Sequence, residues 1–114
     1  MVQSIHTYAW GICNLSSISV EQRTLGRVVN GKAEYEVVVL NSCICSQSSL
    51  LLSCRGFNTV EPVDPQVFGK VDGEEDECVV NNYAPVFQGN PVAFRYAWDR
   101  KIELRPLSSV ISCS

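Results

Sequence analysis

Six cysteines in a chain of 114 residues are the feature that most constrains its fold. An even number of cysteines in a short chain is typical of a disulfide framework, and disulfides persist in oxidising compartments. The competing interpretation, a zinc site, needs two close pairs of cysteine or histidine ligands. Cys43 and Cys45 are the single close pair here, and the sole histidine is His6. The sequence therefore predicts three disulfides in a secreted chain, formed by Cys13, Cys43, Cys45, Cys54, Cys78 and Cys113.

The pairing of these cysteines stays open at the level of sequence. A bridge between Cys43 and Cys45 is disfavoured, because two residues so close along the chain would be joined only with strain. Spacing does not distinguish among the remaining connectivities.

The charge of the chain is low and its basic residues are dispersed. Nine Lys and Arg against twelve Asp and Glu give a net charge of −3. Because no basic stripe is present, the sequence argues against nucleic acid and against an anionic membrane surface as partners. No stretch approaches the roughly 20 apolar residues that a transmembrane helix needs.

Two regions are expected along the chain. Residues 1–12, from Met1 to Ile12, are weakly apolar and carry no Lys or Arg. They are interpreted as the remnant of a leader, or as a start added for expression. Residues 13–114 are expected to form a single domain, since their number is near the commonest domain size. The tripeptide Asn14-Leu15-Ser16 is an N-glycosylation signal, which places a candidate glycan on Asn14 of a secreted protein.

Alternating apolar and polar residues, with frequent turn residues between them, predict a fold made of strands. Residues 17–28 and 33–41 are predicted to pair as a hairpin around Asn30-Gly31, because both turn residues tolerate a positive φ. The expected fold class is all-β, a small disulfide-stapled antiparallel β-sandwich of about seven or eight strands. The other predicted strands are 50–54, 58–61, 67–71, 77–81, 92–98, 102–104 and 109–113, with a polar turn at 46–49.

The strand at 92–98 carries the clearest pattern and leads to the candidate binding residues. Its large residues Val92, Phe94, Tyr96 and Trp98 share one face, which is expected to cover the core because the strand has no other apolar face. Trp98 lies near the strand end and is the one of these expected to reach solvent. Trp98, Arg100 and Lys101 are therefore the predicted binding residues.

Catalytic and metal-binding patterns are weak in this sequence. A nucleophile activated by histidine is not expected, since His6 lies in the predicted leader. No phosphate-binding glycine loop or dinucleotide fingerprint is present, so no cofactor is predicted. The acidic run Asp72–Glu77 lacks the spacing of a calcium loop and is interpreted as a solvated loop, with no metal assigned. The chain is therefore predicted to bind a partner and not to be an enzyme.

The cysteine framework and its neighbours resemble the tapetum-determinant-like proteins, a family of small secreted cysteine-rich plant proteins. The resemblance runs from about Cys13 to the end of the chain. Three features differ from the founding branch and suggest a distinct one: the tight Cys43-Ile44-Cys45 spacing, the acidic loop before Cys78, and Trp98-Asp99. The resemblance is carried by Tyr35-Glu36-Val37, Asn41-Ser42-Cys43, Cys45-Ser46, Leu52-Ser53-Cys54, Gly56-Phe57, Pro65, Val67-Phe68, Asp76, Cys78-Val79-Val80-Asn81, Phe94, Tyr96 and Val110-Ile111-Ser112-Cys113.

The resemblance implies a signalling protein secreted to the apoplast, because the founding member is similar to a peptide hormone that acts on a leucine-rich-repeat receptor kinase. The expected partner is then a receptor ectodomain. The strand order also resembles the carbohydrate-binding module of plant cellulases. The alternative expectation is accordingly a carbohydrate-binding protein that recognises a cell-wall polysaccharide through exposed aromatic rings.

Overall fold

The computed structural model describes residues 13–113, which form two antiparallel sheets. The first sheet has the strand order β1-β2-β6, and the second has the order β4-β5-β3-β7. No helix in the described part of the chain is long and apolar enough to cross a membrane. The strands are β1 (Ile18–Val29), β2 (Lys32–Asn41), β3 (Ser46–Ser53), β4 (Phe68–Lys70), β5 (Glu77–Val80), β6 (Val92–Trp98) and β7 (Arg105–Ser112).

The hairpin of β1 and β2 confirms the strongest local prediction. Asn30 and Gly31 have φ of 48° and 81°, the left-handed conformation that a tight hairpin turn needs. Ile18 lies opposite Asn41 at the far end, and the pairing shifts between Thr24 and Val28. A bulge of this kind increases the local twist of the strands.

Side chains from both sheets meet in one hydrophobic core. Val37 and Val39 of β2 and Leu50 and Leu52 of β3 are fully buried. Burial of each such side chain contributes about 1.5–3 kcal/mol relative to exposure. The prediction for β6 is confirmed, because the side chains of its apolar face cover this core.

Stacked rings cross between the two sheets. Phe68 of β4 lies 4.3 Å from Phe94 of β6, measured between ring centroids, with the planes 13° apart. Phe57, in the loop after β3, lies 5.1 Å from Tyr96. These contacts tie the long loop between β3 and β4 to the first sheet.

Three disulfides close the domain, which confirms the prediction from the cysteine count and supplies the pairing that spacing left open. Cys54 and Cys78 are fully buried, and their bridge links the end of β3 to β5. The other two bridges lie towards the opposite end of β3: they are Cys13–Cys43 and Cys45–Cys113.

Three local predictions are wrong, and tertiary hydrogen bonds explain them. Residues 58–61 were expected to be a strand but are irregular, because the Thr59 hydroxyl accepts from the Ala97 amide (3.0 Å) in place of a ladder of backbone bonds. Residues 46–49 were expected to be a turn but begin β3, because Gln47 exchanges two backbone hydrogen bonds with Val86 and also pairs with Ile111. Residues 102–104 were expected to be a strand but are irregular. There the Ile102 amide donates to the Tyr96 hydroxyl (2.8 Å), and the Ile102 carbonyl accepts from the Gln22 side chain (2.6 Å).

Candidate functional site

Trp98 is held beneath a cation at the end of β6. Its ring is half-buried and packs against the core. The Lys32 ammonium lies 5.5 Å from the ring centroid, within the range of a cation–π contact, and also forms an ion pair with Asp99. The predicted binding residue is therefore partly covered by its own neighbours, and its role in binding stays a prediction.

Arg100 lies in a depression lined by three arginines, a concentration of positive charge that the sequence did not indicate. Arg55 follows β3, Arg100 follows β6 and Arg105 begins β7, and all three line a cavity of about 590 Å³ together with Glu103. We call this depression the arginine groove. Because Arg55 is far from the other two along the chain, no spacing pattern predicts their convergence.

A glycine brings the loop after β3 close to Arg100. Gly56 has φ of 76°, and a Cβ atom placed there would lie 3.9 Å from Arg100 Nη2. That conformation is strained for any residue with a side chain. The turn at Arg55-Gly56 is further tied down by the preceding Cys54, whose disulfide bridge to Cys78 is buried.

Within residues 13–113, two of the three guanidinium groups have no anionic partner. Arg105 forms an ion pair with Glu103 at 2.9 Å, and both side chains are more than two-thirds exposed. Such exposed pairs contribute at most about 1 kcal/mol. Among the described residues, Arg55 and Arg100 form neither an ion pair nor a side-chain hydrogen bond. The groove therefore concentrates unneutralised positive charge in a chain whose net charge is −3.

Lys101 lies on the other side of the segment that follows β6. It lines a separate depression of about 350 Å³ with Val20, Gln22 and Leu104. Glu103 and Arg105 line both depressions. The structure thus places Arg100 and Lys101 in two neighbouring depressions, and Trp98 lines neither of them.

A pair of carboxyl groups lies on the outer side of the first sheet. Glu34 is 1% exposed and accepts a hydrogen bond from Arg27 at 2.7 Å. A hydrogen bond from the Glu61 carboxyl lowers the pKa of Glu34, burial opposes that shift, and Arg27 adds to it. Burial and the neighbouring Glu34 raise the pKa of Glu61. The shared environment thus favours the charged form of Glu34 and the neutral form of Glu61.

This carboxyl pair was missed by sequence reasoning, because Glu61 reaches Glu34 only through the long loop after β3. The Val60 amide donates to the Ala97 carbonyl at 2.9 Å, which lays the loop along the edge of β6. Glu61 Oε1 is buried and has no hydrogen-bond partner in the part of the chain that the structure describes. Neither carboxyl lines the cavities described above, so the pair is assigned no catalytic role.

Two aromatic residues near the second sheet are exposed. Tyr83 and Phe87 are 45% and 51% exposed, whereas the other aromatic side chains in the described range are buried or half-buried. Val86 points into the core, so the adjacent Phe87 faces outwards. Tyr83 lines a shallow cavity with Val79. Tyr8 and Trp10 lie outside the described residues.

The remaining sequence candidates occupy exposed positions or lie outside the described part. Asn14 is exposed, and its side-chain oxygen accepts from the Ser16 amide at 2.9 Å. Residues 72–76 of the acidic run are exposed, and within residues 13–113 no three acidic, histidine or cysteine side chains are arranged to hold a metal ion. His6 falls in residues 1–12, outside the described range.

Comparison with known proteins identifies the family. A family profile described as "Tapetum determinant 1, C-terminal" matches residues 14–114. The chain belongs to this family. The resemblance noted from the cysteine framework is thereby confirmed, and the match covers nearly all of the predicted domain.

Three curated plant proteins are similar to this tapetum-determinant chain. TPD1 protein homolog 1 of Arabidopsis thaliana is 32% identical over 75% of this chain and 48% of its own length. TPD1 protein homolog 1A of Oryza sativa is 28% identical over 75% of this chain and 41% of its own length. An uncharacterised Arabidopsis thaliana protein, At1g05835, is 32% identical over 70% of this chain and 63% of its own length. The chain thus spans about half the length of the first two relatives. None of these names denotes an enzyme, and no solved structure matches the chain.

Proposed function

We propose that this domain is a secreted signalling protein of plants that binds the ectodomain of a leucine-rich-repeat receptor kinase in the apoplast. Membership of the tapetum-determinant family supports the proposal, through the receptor role that the resemblance to the founding member implies. Three disulfides support the extracellular location, because such bridges persist in oxidising compartments.

The observation that carries the proposal is the arginine groove. Arg55 and Arg100 are exposed, have no partner among the described residues, and sit on turns attached to the core. A surface already held in place by disulfides loses little conformational entropy when a partner docks, which favours affinity. Guanidinium groups also stay charged at all physiological pH values, so they suit recognition better than proton transfer.

A panel of leucine-rich-repeat receptor ectodomains, immobilised and probed with the disulfide-bonded domain by biolayer interferometry, tests the proposal. Binding to at least one ectodomain with a dissociation constant between nanomolar and micromolar is expected. The double variant R55Q/R100Q is expected to weaken that binding, while R95Q serves as the control, because Arg95 is an exposed arginine outside the groove. A complete panel without a binder contradicts the proposal.

A second candidate function is the recognition of a cell-wall polysaccharide. The observation that favours it is the exposure of Tyr83 and Phe87, since exposed aromatic rings stack on sugar rings. Under this proposal, the domain is retained on cellulose, xylan or glucan in affinity electrophoresis, and Y83A/F87A abolishes the retention. Equal migration of the wild-type domain with and without each polysaccharide contradicts it.

A further inference from the structure

The nine basic side chains of this protein divide sharply by their surroundings. Four are neutralised by a nearby carboxylate: Arg23 by Glu36, Arg27 by Glu34, Lys32 by Asp99, and Arg105 by Glu103. Of the others, Arg55 and Arg100 line the same concave site. Two like charges that line one site without a counterion repel each other. An anion that enters the groove is attracted by both arginines and relieves this repulsion.

We propose that the arginine groove binds an acidic peptide segment of the partner protein, with Arg55 and Arg100 each engaging one carboxylate. This inference rests on the proposed receptor function and adds the chemistry of the contact. A planar guanidinium matches a carboxylate through two parallel hydrogen bonds, which gives direction as well as attraction.

The size and composition of the groove favour a peptide over a sugar. Its volume of about 590 Å³ lies in the range of sites that enclose several groups of a ligand, beyond what a single carboxylate fills. Among residues 13–113, the lining contains no aromatic ring on which a sugar could stack; apart from the arginines and Glu103 it consists of Ser53, Gly56 and Ile102. A uronate chain would therefore be held by charge alone.

Glu103 further restricts the ligand. Its carboxylate remains in the groove on Arg105, where it repels a compact dianion such as a phosphate. Carboxylates spaced along a peptide can instead sit on Arg55 and Arg100 and leave the pair of Glu103 and Arg105 intact. The groove is thus better suited to singly charged carboxylates spaced along a peptide than to one compact dianion.

The test uses the intact disulfide-bonded domain and a hexaglutamate peptide, with a hexaglutamine peptide as the uncharged probe. Titrations are followed by the NMR signals of the arginine side-chain Nε–H groups. Hexaglutamate is expected to shift the signals of Arg55 and Arg100, and hexaglutamine is not. R100Q and R55Q are each expected to weaken binding about tenfold, the effect of losing one charge-assisted hydrogen bond pair. R95Q removes the same charge outside the groove and is expected to change affinity less than about twofold.

Several outcomes overturn the inference. If hexaglutamate does not bind, or if R95Q weakens binding as much as R100Q, the groove is not a specific site. Tighter binding of trigalacturonate or of a phosphoserine peptide would assign it to a uronate or to a phosphate. If R55Q/R100Q binds a receptor ectodomain as wild type does, the groove assignment fails while the receptor proposal stands. If hexaglutamate binds but no ectodomain does, the receptor proposal fails while the carboxylate preference of the groove remains.

Discussion

Removing the buried disulfide should destabilise this domain more than removing the bridge near its amino-terminal end, although the two enclose loops of similar length. Cys54 and Cys78 are 24 residues apart, and Cys13 and Cys43 are 30 apart. On the chain-entropy account, either bridge stabilises the fold by about 3.5 kcal/mol, because the crosslink restricts the unfolded chain. Loop closure alone therefore predicts nearly equal losses for C54A/C78A and C13A/C43A.

Burial separates the two variants. Cys54 and Cys78 are fully buried within the hydrophobic core, whereas Cys13 is buried at 9% exposure, Cys43 is half-buried, and neither of these two belongs to the core cluster. Deleting two fully buried sulfur atoms leaves a cavity, which adds about 1–3 kcal/mol on the scale of small core truncations. The expected loss for C54A/C78A is thus about 5 kcal/mol, against about 3.5 kcal/mol for C13A/C43A.

Urea denaturation followed by tryptophan fluorescence measures both losses. For a domain of this size, a difference of about 1.5 kcal/mol separates the two midpoints by about 1 M urea. C13A/C43A is the matched control, since it removes a bridge of similar span without opening the core. If the two midpoints coincide, or if C13A/C43A is the less stable variant, the reasoning from burial is refuted.

Four further results are expected. The fold raises the pKa of Glu61, so the stability that its protonated form contributes is present at low pH and is lost as pH rises through that pKa. E61Q should therefore reduce the fall of the melting temperature with rising pH above the ordinary pKa of a glutamate, while the loss on the acid side from Glu34, whose pKa is lowered, remains; parallel profiles of melting temperature against pH for wild type and variant would contradict this. Y96F should cost about 1–3 kcal/mol in urea denaturation and speed hydrogen exchange at Ile102, whose buried amide loses its acceptor; an unchanged exchange rate would count against it. Complete reduction should unfold the domain by circular dichroism, and an unchanged melting temperature would refute that expectation. In a plant secretory host, intact-mass measurement should find a glycan that N14Q removes, and equal masses apart from the substitution would exclude one.

Much of the fold was predictable because its signals are local. The turn at Asn30-Gly31 needs residues that accept a positive φ, and the apolar face of β6 follows from alternation within seven residues. The predicted strand at 102–104 failed because the Ile102 backbone bonds to two side chains, those of Tyr96 and Gln22, which lie on different strands. The alternation of apolar and polar residues along a segment carries no information about side chains on other strands that will bond to its backbone.

The candidate site was predictable only in part for the same reason. Arg100 was named from its place after β6, but its companion Arg55 comes from the loop after β3, and only the folded chain brings them to one groove. Glu61 meets Glu34 because the loop hydrogen-bonds to the edge of β6. Contacts between residues distant in sequence depend on how sheets pack and loops cross, and residue spacing carries no record of either.

The six cysteines mark the same division between local and tertiary information. Their number and their neighbours determined, from sequence alone, that the domain is held by three disulfides and resembles the tapetum-determinant family. Which cysteines pair was decided only by the tertiary structure, because a disulfide needs two Cβ atoms brought within a few ångströms of each other. That proximity is a property of the packed sheets, and so are the convergence of the arginines and the burial of the bridge from Cys54 to Cys78.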